Sequence, residues 1–261
     1  MKVALGLEYC GSRYSGWQRQ SHVISIQQCV EEALSKVADQ DITVQCAGRT
    51  DTGVHALHQV VHFETSAERE KHAWVFGGNV NLPPDISVLW AKNIPEDFHA
   101  RFSATGRTYR YLILNRQARP GIMNRKITWE YRPLDEKRML KAAECLVGEH
   151  DFTSYRAVEC QAKNPVRKIR RLEITRQAEI ISIEIEANAF LHHMVRNIAG
   201  VLMAIGIGKA PVEWSKEVLE ARDRTLGGMT APPDGLYLLN VSYPENYQIP
   251  GYHESACYVI E

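Results

Sequence analysis

The sequence predicts an α+β protein of two lobes, each a split β-α-β unit with an antiparallel sheet, and a basic cleft between them. Three observations predict it. Period-two and helical apolar patterns follow the order β-α-β-β-α-β, and the same order then repeats. A chain of 261 residues suits two lobes of ordinary size. No Walker A loop, dinucleotide-binding glycine fingerprint or G-x-S-x-G elbow marks a doubly wound sheet or a hydrolase. The expected division is a first lobe over 1–105, a second over 106–245 and a tail over 246–261.

Residues 2–9 read as the first strand. A helix over 25–38 follows, with Ser25 and Gln28 forming a capping box and Ile26, Val30, Ala33 and Val37 forming one apolar face. Strands are expected over 42–47 and 57–64, a helix over 67–79 and a strand over 86–92. Asn81-Leu82-Pro83-Pro84 separates the last two.

The second half opens on the strand Arg107-Thr108-Tyr109-Arg110-Tyr111-Leu112-Ile113-Leu114, rich in aromatic and branched residues. A helix from Asp135 to Val147 is expected to stop at Gly148. Strands over 168–176 and 180–187 precede a long apolar helix over 191–207. A helix over 212–221 and a strand from Gly235 to Val241 complete the pattern.

Composition narrows the function classes. Hydrophobic residues at 44% and charged residues at 24% exclude disorder. With 31 basic and 31 acidic residues, net charge alone cannot hold a nucleic acid, although one basic face can. The cysteines Cys10, Cys29, Cys46, Cys145, Cys160 and Cys257 form no close pairs, as expected for reduced thiols. The N-terminus runs directly into a strand and no long apolar run follows, so a soluble cytoplasmic protein without membrane contact is expected.

Charge is segregated along the chain. Asp51, in Gly48-Arg49-Thr50-Asp51-Thr52-Gly53-Val54-His55, is the only acid between Asp41 and Glu64. Asp-Thr-Gly is good turn chemistry, so a plain surface turn is one reading of it. The stretch from Phe98 to Trp129 has no acid but holds Arg101, Arg107, Arg110, Arg116, Arg119, Arg125 and Lys126. Cys160 to Leu172 is also acid-free, with Lys163, Arg167, Lys168, Arg170 and Arg171. Solvated faces normally mix signs, so these runs predict a basic surface for a polyanion, with arginine forks suited to phosphates.

Arg196 is the single charge of the apolar helix, and no acid lies between Ala187 and Val212. A buried guanidinium needs a carboxylate from far along the chain or a set of carbonyls. Asp51 is a candidate for the former. Strand alternation puts Tyr109 and Tyr111 on one face, either as core or as a platform for an extruded base.

Other chemistries fit less well. His55, His58 and His62 suggest zinc, with His58 and His62 two rungs apart on one strand face, but no cysteine or carboxylate stands at zinc-ligand spacing. His192 and His193, adjacent on a helix, are expected to point apart and to make poor co-ligands. The Asp51-Thr52-Gly53 triplet is shared with aspartic proteases, but those need two carboxylates sharing a proton and this chain has one such triplet.

The segment Gly48 to Ala56 resembles the catalytic loop of tRNA pseudouridine synthases of the TruA type. Further blocks in the same order resemble that family: Tyr14-Ser15-Gly16-Trp17-Gln18-Arg19-Gln20, Phe98-His99-Ala100-Arg101-Phe102-Ser103-Ala104 and Arg107-Thr108-Tyr109-Arg110-Tyr111. So do Gly148-Glu149-His150-Asp151-Phe152, Phe190-Leu191-His192-His193-Met194-Val195-Arg196-Asn197 and Gly235-Leu236-Tyr237-Leu238. Two departures are Thr52, where the family usually has Ala, and Cys10, where it usually has an acid.

The resemblance implies an isomerase converting uridine to pseudouridine at positions 38 to 40 of the tRNA anticodon stem-loop. It also implies the pseudouridine synthase fold with two RNP-like lobes, a homodimer, and no cofactor or metal. By the same resemblance Asp51 is the nucleophile and Arg49 assists entry of the base. Tyr109 stacks on the uracil, Arg196 pairs with Asp51, and Leu236 forms part of the apolar wall. A non-catalytic RNA-binding protein with the same lobes is the alternative. It explains the arginine-rich segments and Tyr109, but not the lone Asp51 and Arg196.

Overall fold

The computed structural model describes residues 1–252; Cys257 and the end of the predicted tail lie outside the described residues. Two compact units divide the chain. The first holds Met1–Thr105 and the residues from Tyr237 on, and the second holds Gly106–Leu236.

The first unit is built on β1 (Lys2–Tyr9), α1 (Ile26–Ala38), β2 (Gln45–Cys46), β3 (His55–Glu64), α2 (Lys71–Asn81) and β4 (Ile86–Ile94). Strand β1 runs antiparallel to both β3 and β4. It is buried along almost its whole length, with Val3, Leu5 and Leu7 fully inaccessible. A central strand covered on both faces must be apolar on both, and this one is. Gly6 is needed there: a Cβ would lie 2.1 Å from the Trp90 indole nitrogen. Helix α1 starts where expected, the Ser25 hydroxyl accepting from the Gln28 N–H at 3.3 Å. The reciprocal arm of the capping box is not formed, because the Gln28 amide donates to Glu32 one turn on.

Strand β2 is shorter than its apolar pattern predicts, and the reason is tertiary. Ile42 and Val44 are buried, but their N–H groups are taken by α1 side chains, Ser35 Oγ at 2.9 Å and Glu31 Oε1 at 3.1 Å. With their donors spent, they leave only Gln45 and Cys46 to pair with β3. Helix α2 starts later than predicted, since residues 66–70 form a connection in which Arg69 Nε donates to the Val37 carbonyl.

The second unit contains β5 (Gly106–Asn115), β6 (Thr128–Glu130), α3 (Glu136–Ala143), β7 (Gly148–Asp151), β8 (Val166–Gln177), β9 (Ile180–Ala187), α4 (Met194–Gly206) and α5 (Trp214–Ala221). Its sheet runs β5-β9-β8-β7, antiparallel throughout, with β6 parallel to β5. Strand β9 shows clean alternation: Ile181, Ile183 and Ile185 are fully buried while Glu184 and Glu186 take the other face. Helix α3 is shorter than predicted. It tightens into a 3-10 turn at Glu144–Leu146, and Gly148, at φ +111°, opens β7 rather than merely ending a helix. Strands β6 and β7, four residues or fewer, are too short to show a period.

Helix α4 is buried on nearly every side but begins at Met194. His192 and His193 therefore precede the helix. His193 adopts φ +61°, and the two rings lie 4.0 Å apart instead of diverging. The last strand, β10 (Leu236–Ser242), lies parallel to β3, pairing Tyr237 with His55 and Leu238 with Ala56. That pairing returns the chain to the first unit at Tyr237, where the sequence pattern alone carries the second lobe on to 245.

Candidate active site

In the first unit the loop between β2 and β3 carries Arg49 and Asp51, and its backbone is fastened at every second or third residue. Gln59 Nε2 donates to the Gly48 carbonyl at 2.6 Å. Thr50, buried between exposed Arg49 and half-buried Asp51, is held twice: its carbonyl accepts from the Trp17 N–H at 2.9 Å, and its hydroxyl bonds Tyr9 Oη at 2.8 Å. The Val54 N–H then closes a turn onto the Asp51 carbonyl at 3.1 Å, with Gly53 at φ +81°. Only glycine adopts that φ without strain, which accounts for the Asp-Thr-Gly order.

Residues Tyr14–Gln20 back this loop. Gly16, at φ +85°, approaches so closely that a Cβ there would sit 2.9 Å from the Thr50 carbonyl oxygen and 3.2 Å from the Asp51 carbonyl carbon. Fully buried Trp17 completes the contact. The sequence marks this block without giving it a role; its role is to fix the Asp51 backbone.

Behind the loop lies a pair that spacing does not disclose. His55 is buried, stacks on Tyr237 at 4.6 Å and accepts the Gly11 N–H at Nδ1 over 3.1 Å. A hydrogen bond from His55, seconded by one from Ser12, pulls the Cys10 thiol down to about 6 against the opposing effect of burial. Cys10 and His55 are 45 positions apart, and only the pairing of β1 beside β3 joins them.

The other strand histidines serve as acceptors. His58 Nε2 takes the Trp90 indole N–H at 3.0 Å. His62 Nδ1 takes the Ala100 N–H at 3.1 Å, and burial together with His99 and Lys2 pushes its pKa down to about 4.

In the second unit one segment joins Arg196 to Leu236, and Tyr109 packs separately on Phe190. Tyr109 on β5 is buried and meets Phe190 edge-on at 5.0 Å. Tyr111 is locked in the core, its hydroxyl bonded to Thr128 Oγ1 at 2.6 Å and to the Pro232 carbonyl at 2.8 Å. Burial raises its pKa, so it stays a donor. Arg196 is half-buried rather than buried. Its Nε donates to the Ala231 carbonyl at 2.9 Å, and the Ala231 N–H returns a bond to the Arg196 carbonyl at 3.1 Å.

Buried Asn197 secures this strap. It donates to the Tyr155 carbonyl at 2.8 Å and accepts from Arg224 at 3.1 Å and Thr230 at 2.7 Å. From Ala231 the segment runs through Pro232 to Gly235, packed on the Leu112 carbonyl, and so to buried Leu236.

The expected basic surface is partly cancelled. Glu184 and Glu186 on β9 pair with Arg110 at 2.9 Å, Arg171 at 2.5 Å and Arg170 at 3.2 Å, and Glu179 pairs with Arg116 at 3.1 Å. Runs of one sign along the chain become mixed across the strands, because strand neighbours are not sequence neighbours. Four of the arginines counted as phosphate ligands already hold carboxylates.

The relatives of this chain define its class as RNA-modifying isomerases. The chain belongs to the tRNA pseudouridine synthase family, whose model matches residues 7–103 and 142–244. The relatives are specific. Over 250 residues the chain is 60% identical to tRNA pseudouridine synthase A of Nitrosococcus oceani, covering 96% of each. It is 56% identical to the proteins of the same name from Coxiella burnetii, over 249 residues and 95% of each chain, and Legionella pneumophila, over 247 residues, 95% of this chain and 94% of that one.

Proposed function

We propose that this chain converts uridine to pseudouridine at positions 38 to 40 of the tRNA anticodon stem-loop, with Asp51 as the nucleophile. The observation that carries the proposal is the clamped loop. Thr50 and Val54 fix the backbone on either side of Asp51, so its carboxylate is presented from a rigid support. In the reaction the N-glycosidic bond breaks, the uracil turns, and C5 joins C1′ in its place. C5 gives up its hydrogen as a proton and N1 takes one up, so the composition is unchanged and the chemistry balances without a cofactor. The carboxylate can attack C1′ or C6, or remove the 2′ proton, and each route begins with the anion.

The target base must leave its stack, at a cost of a few kcal/mol. Arg49, exposed beside Asp51, is suited to guiding it, and Tyr109 to stacking on it. Leu236 supplies apolar wall, and Arg196, oriented by its bond to the Ala231 carbonyl, is the cation that the family resemblance assigns to the nucleophile. A homodimer acting in the cytoplasm completes the proposal. Among the described residues no helix is long and apolar enough to cross a membrane.

The test is tritium release from a mixed tRNA pool carrying uridine labelled at C5, comparing wild type with Asp51→Asn. C5 loses its hydrogen only on becoming the glycosidic carbon. Release by wild type alone, with tRNA affinity kept in the variant, supports the assignment. Release by Asp51→Asn refutes it. Binding without release by either protein makes this a binding module.

A further inference from the structure

The turn from His99 to Ser103 in the first unit holds an exposed aromatic ring that packing does not explain. Phe102 is 75% exposed, so folding gains little from it. The backbone beneath it is nevertheless fastened throughout. The His99 N–H donates to Ser103 Oγ, and the Ser103 N–H to the His99 carbonyl, both at 2.9 Å. The N–H groups of Arg101 and Phe102 converge on His99 Nδ1 at 3.1 and 3.4 Å. Ala100 is pinned on both sides, its N–H to His62 and its carbonyl to the Tyr243 hydroxyl at 2.6 Å.

Above this base the Phe102 ring lies 4.4 Å from the His99 ring, tilted by 39°, and the Arg101 guanidinium stands 5.5 Å from its centroid. Burial and Lys2 push the His99 pKa down, in keeping with an acceptor Nδ1 and a neutral ring. An aromatic ring held rigid, with a guanidinium beside it, matches what an unpaired nucleotide needs: a π-face for the base and a cation for the phosphate.

We propose that the His99–Phe102 turn is a stacking platform for an unpaired nucleotide of the RNA substrate, in addition to the pocket for the reacting uridine. The proposal rests on the tRNA reading above. RNA is favoured over a protein partner by charge: Arg101 stands beside the ring, and Lys2 lies under the turn, donating to the Phe98 carbonyl at 3.2 Å. Of the nearby acids, Glu64 pairs with Lys2 at 3.6 Å and Asp97 accepts from the Tyr247 hydroxyl at 3.2 Å, while Glu96 is exposed on the chain before the turn.

Phe102→Leu and Phe102→Trp test this in the full chain. Both side chains are exposed, so melting temperatures stay at the wild-type value. For unmodified tRNA, Phe102→Leu is expected to raise Kd and KM roughly five- to a hundredfold, with kcat at saturation unchanged. Phe102→Trp restores the affinity, and its added indole fluorescence is quenched by tRNA. Wild-type Kd and KM in Phe102→Leu overturn the proposal. So does a change of sedimentation coefficient without a change in Kd, which would give this ring to a second copy of the chain. If wild type releases no tritium, the functional reading fails, while the Kd comparison still decides the platform.

Discussion

Gly16→Ala asks whether the backing of the Asp51 loop is as tight as the geometry implies. The new Cβ would lie 2.9 Å from the Thr50 carbonyl oxygen, where ordinary contact begins at 3.4 Å, and it would also press on Asp51 and Thr52 at 3.2 Å. All three neighbours are backbone, so none can swing aside as a side chain would. The left-handed φ of +85° adds a second penalty. An L-residue there costs about 1–2 kcal/mol, and overpacking about 1–3 kcal/mol, giving a loss of roughly 2–5 kcal/mol. At about 2–4 °C per kcal/mol in a chain of this size, the melting temperature drops by roughly 4–20 °C.

Gly208→Ala is the control, because Gly208 has φ +86° but nothing within 4 Å of its Cβ position. It carries the strain without the clash and loses about 1–2 kcal/mol. Activity separates the two further. A displaced Asp51 lowers kcat in Gly16→Ala by roughly tenfold when assayed well below the melting point, since a misplacement near 1 Å can cost about a hundredfold. Tritium release and thermal melting of the two variants suffice. If Gly16→Ala melts with Gly208→Ala and turns over like wild type, the loop is not clamped as described.

Three further outcomes are expected. Cys10, with its thiol near 6, is alkylated by iodoacetamide at pH 7 ahead of Cys29, Cys46 and Cys145, whose thiols burial pushes up, Cys46 to about 12; peptide mapping showing Cys10 unreactive below pH 8 contradicts the His55 hydrogen bond. His62 is held near 4 against an ordinary 6.5, so the folded state disfavours its proton. Its contribution is complete above 6.5 and is lost as pH falls towards 4, and His62→Gln flattens that part of the stability profile in urea titrations. Asn197→Ala strands the Tyr155 carbonyl and two donors, costing about 2–4 kcal/mol. It also frees the strap that orients Arg196, so kcat falls even where the variant is fully folded; full activity detaches the strap from catalysis.

Much of this protein is legible locally. Strands β1 and β9 and helices α1 and α4 carry periods strong enough to place them within a few residues. The residue types in the Gly48–His55 loop state their turn chemistry outright, since a positive φ at Gly53 and a cap-forming Asp depend on neighbours one or two positions away. What the tertiary structure alone decided concerns groups whose partners lie far along the chain. Ile42 and Val44 read as strand until Ser35 and Glu31 take their N–H groups. The arginines of β5 and β8 read as phosphate ligands until β9 sets Glu184 and Glu186 among them. Cys10 is an ordinary thiol until β3 brings up His55, and β10 belongs with the second lobe until it pairs with β3. Apolar periodicity reports which face of an element is buried. It carries no information about which hydrogen-bond donor or charge meets that face from another strand, and in this chain those long-range partners shape the site.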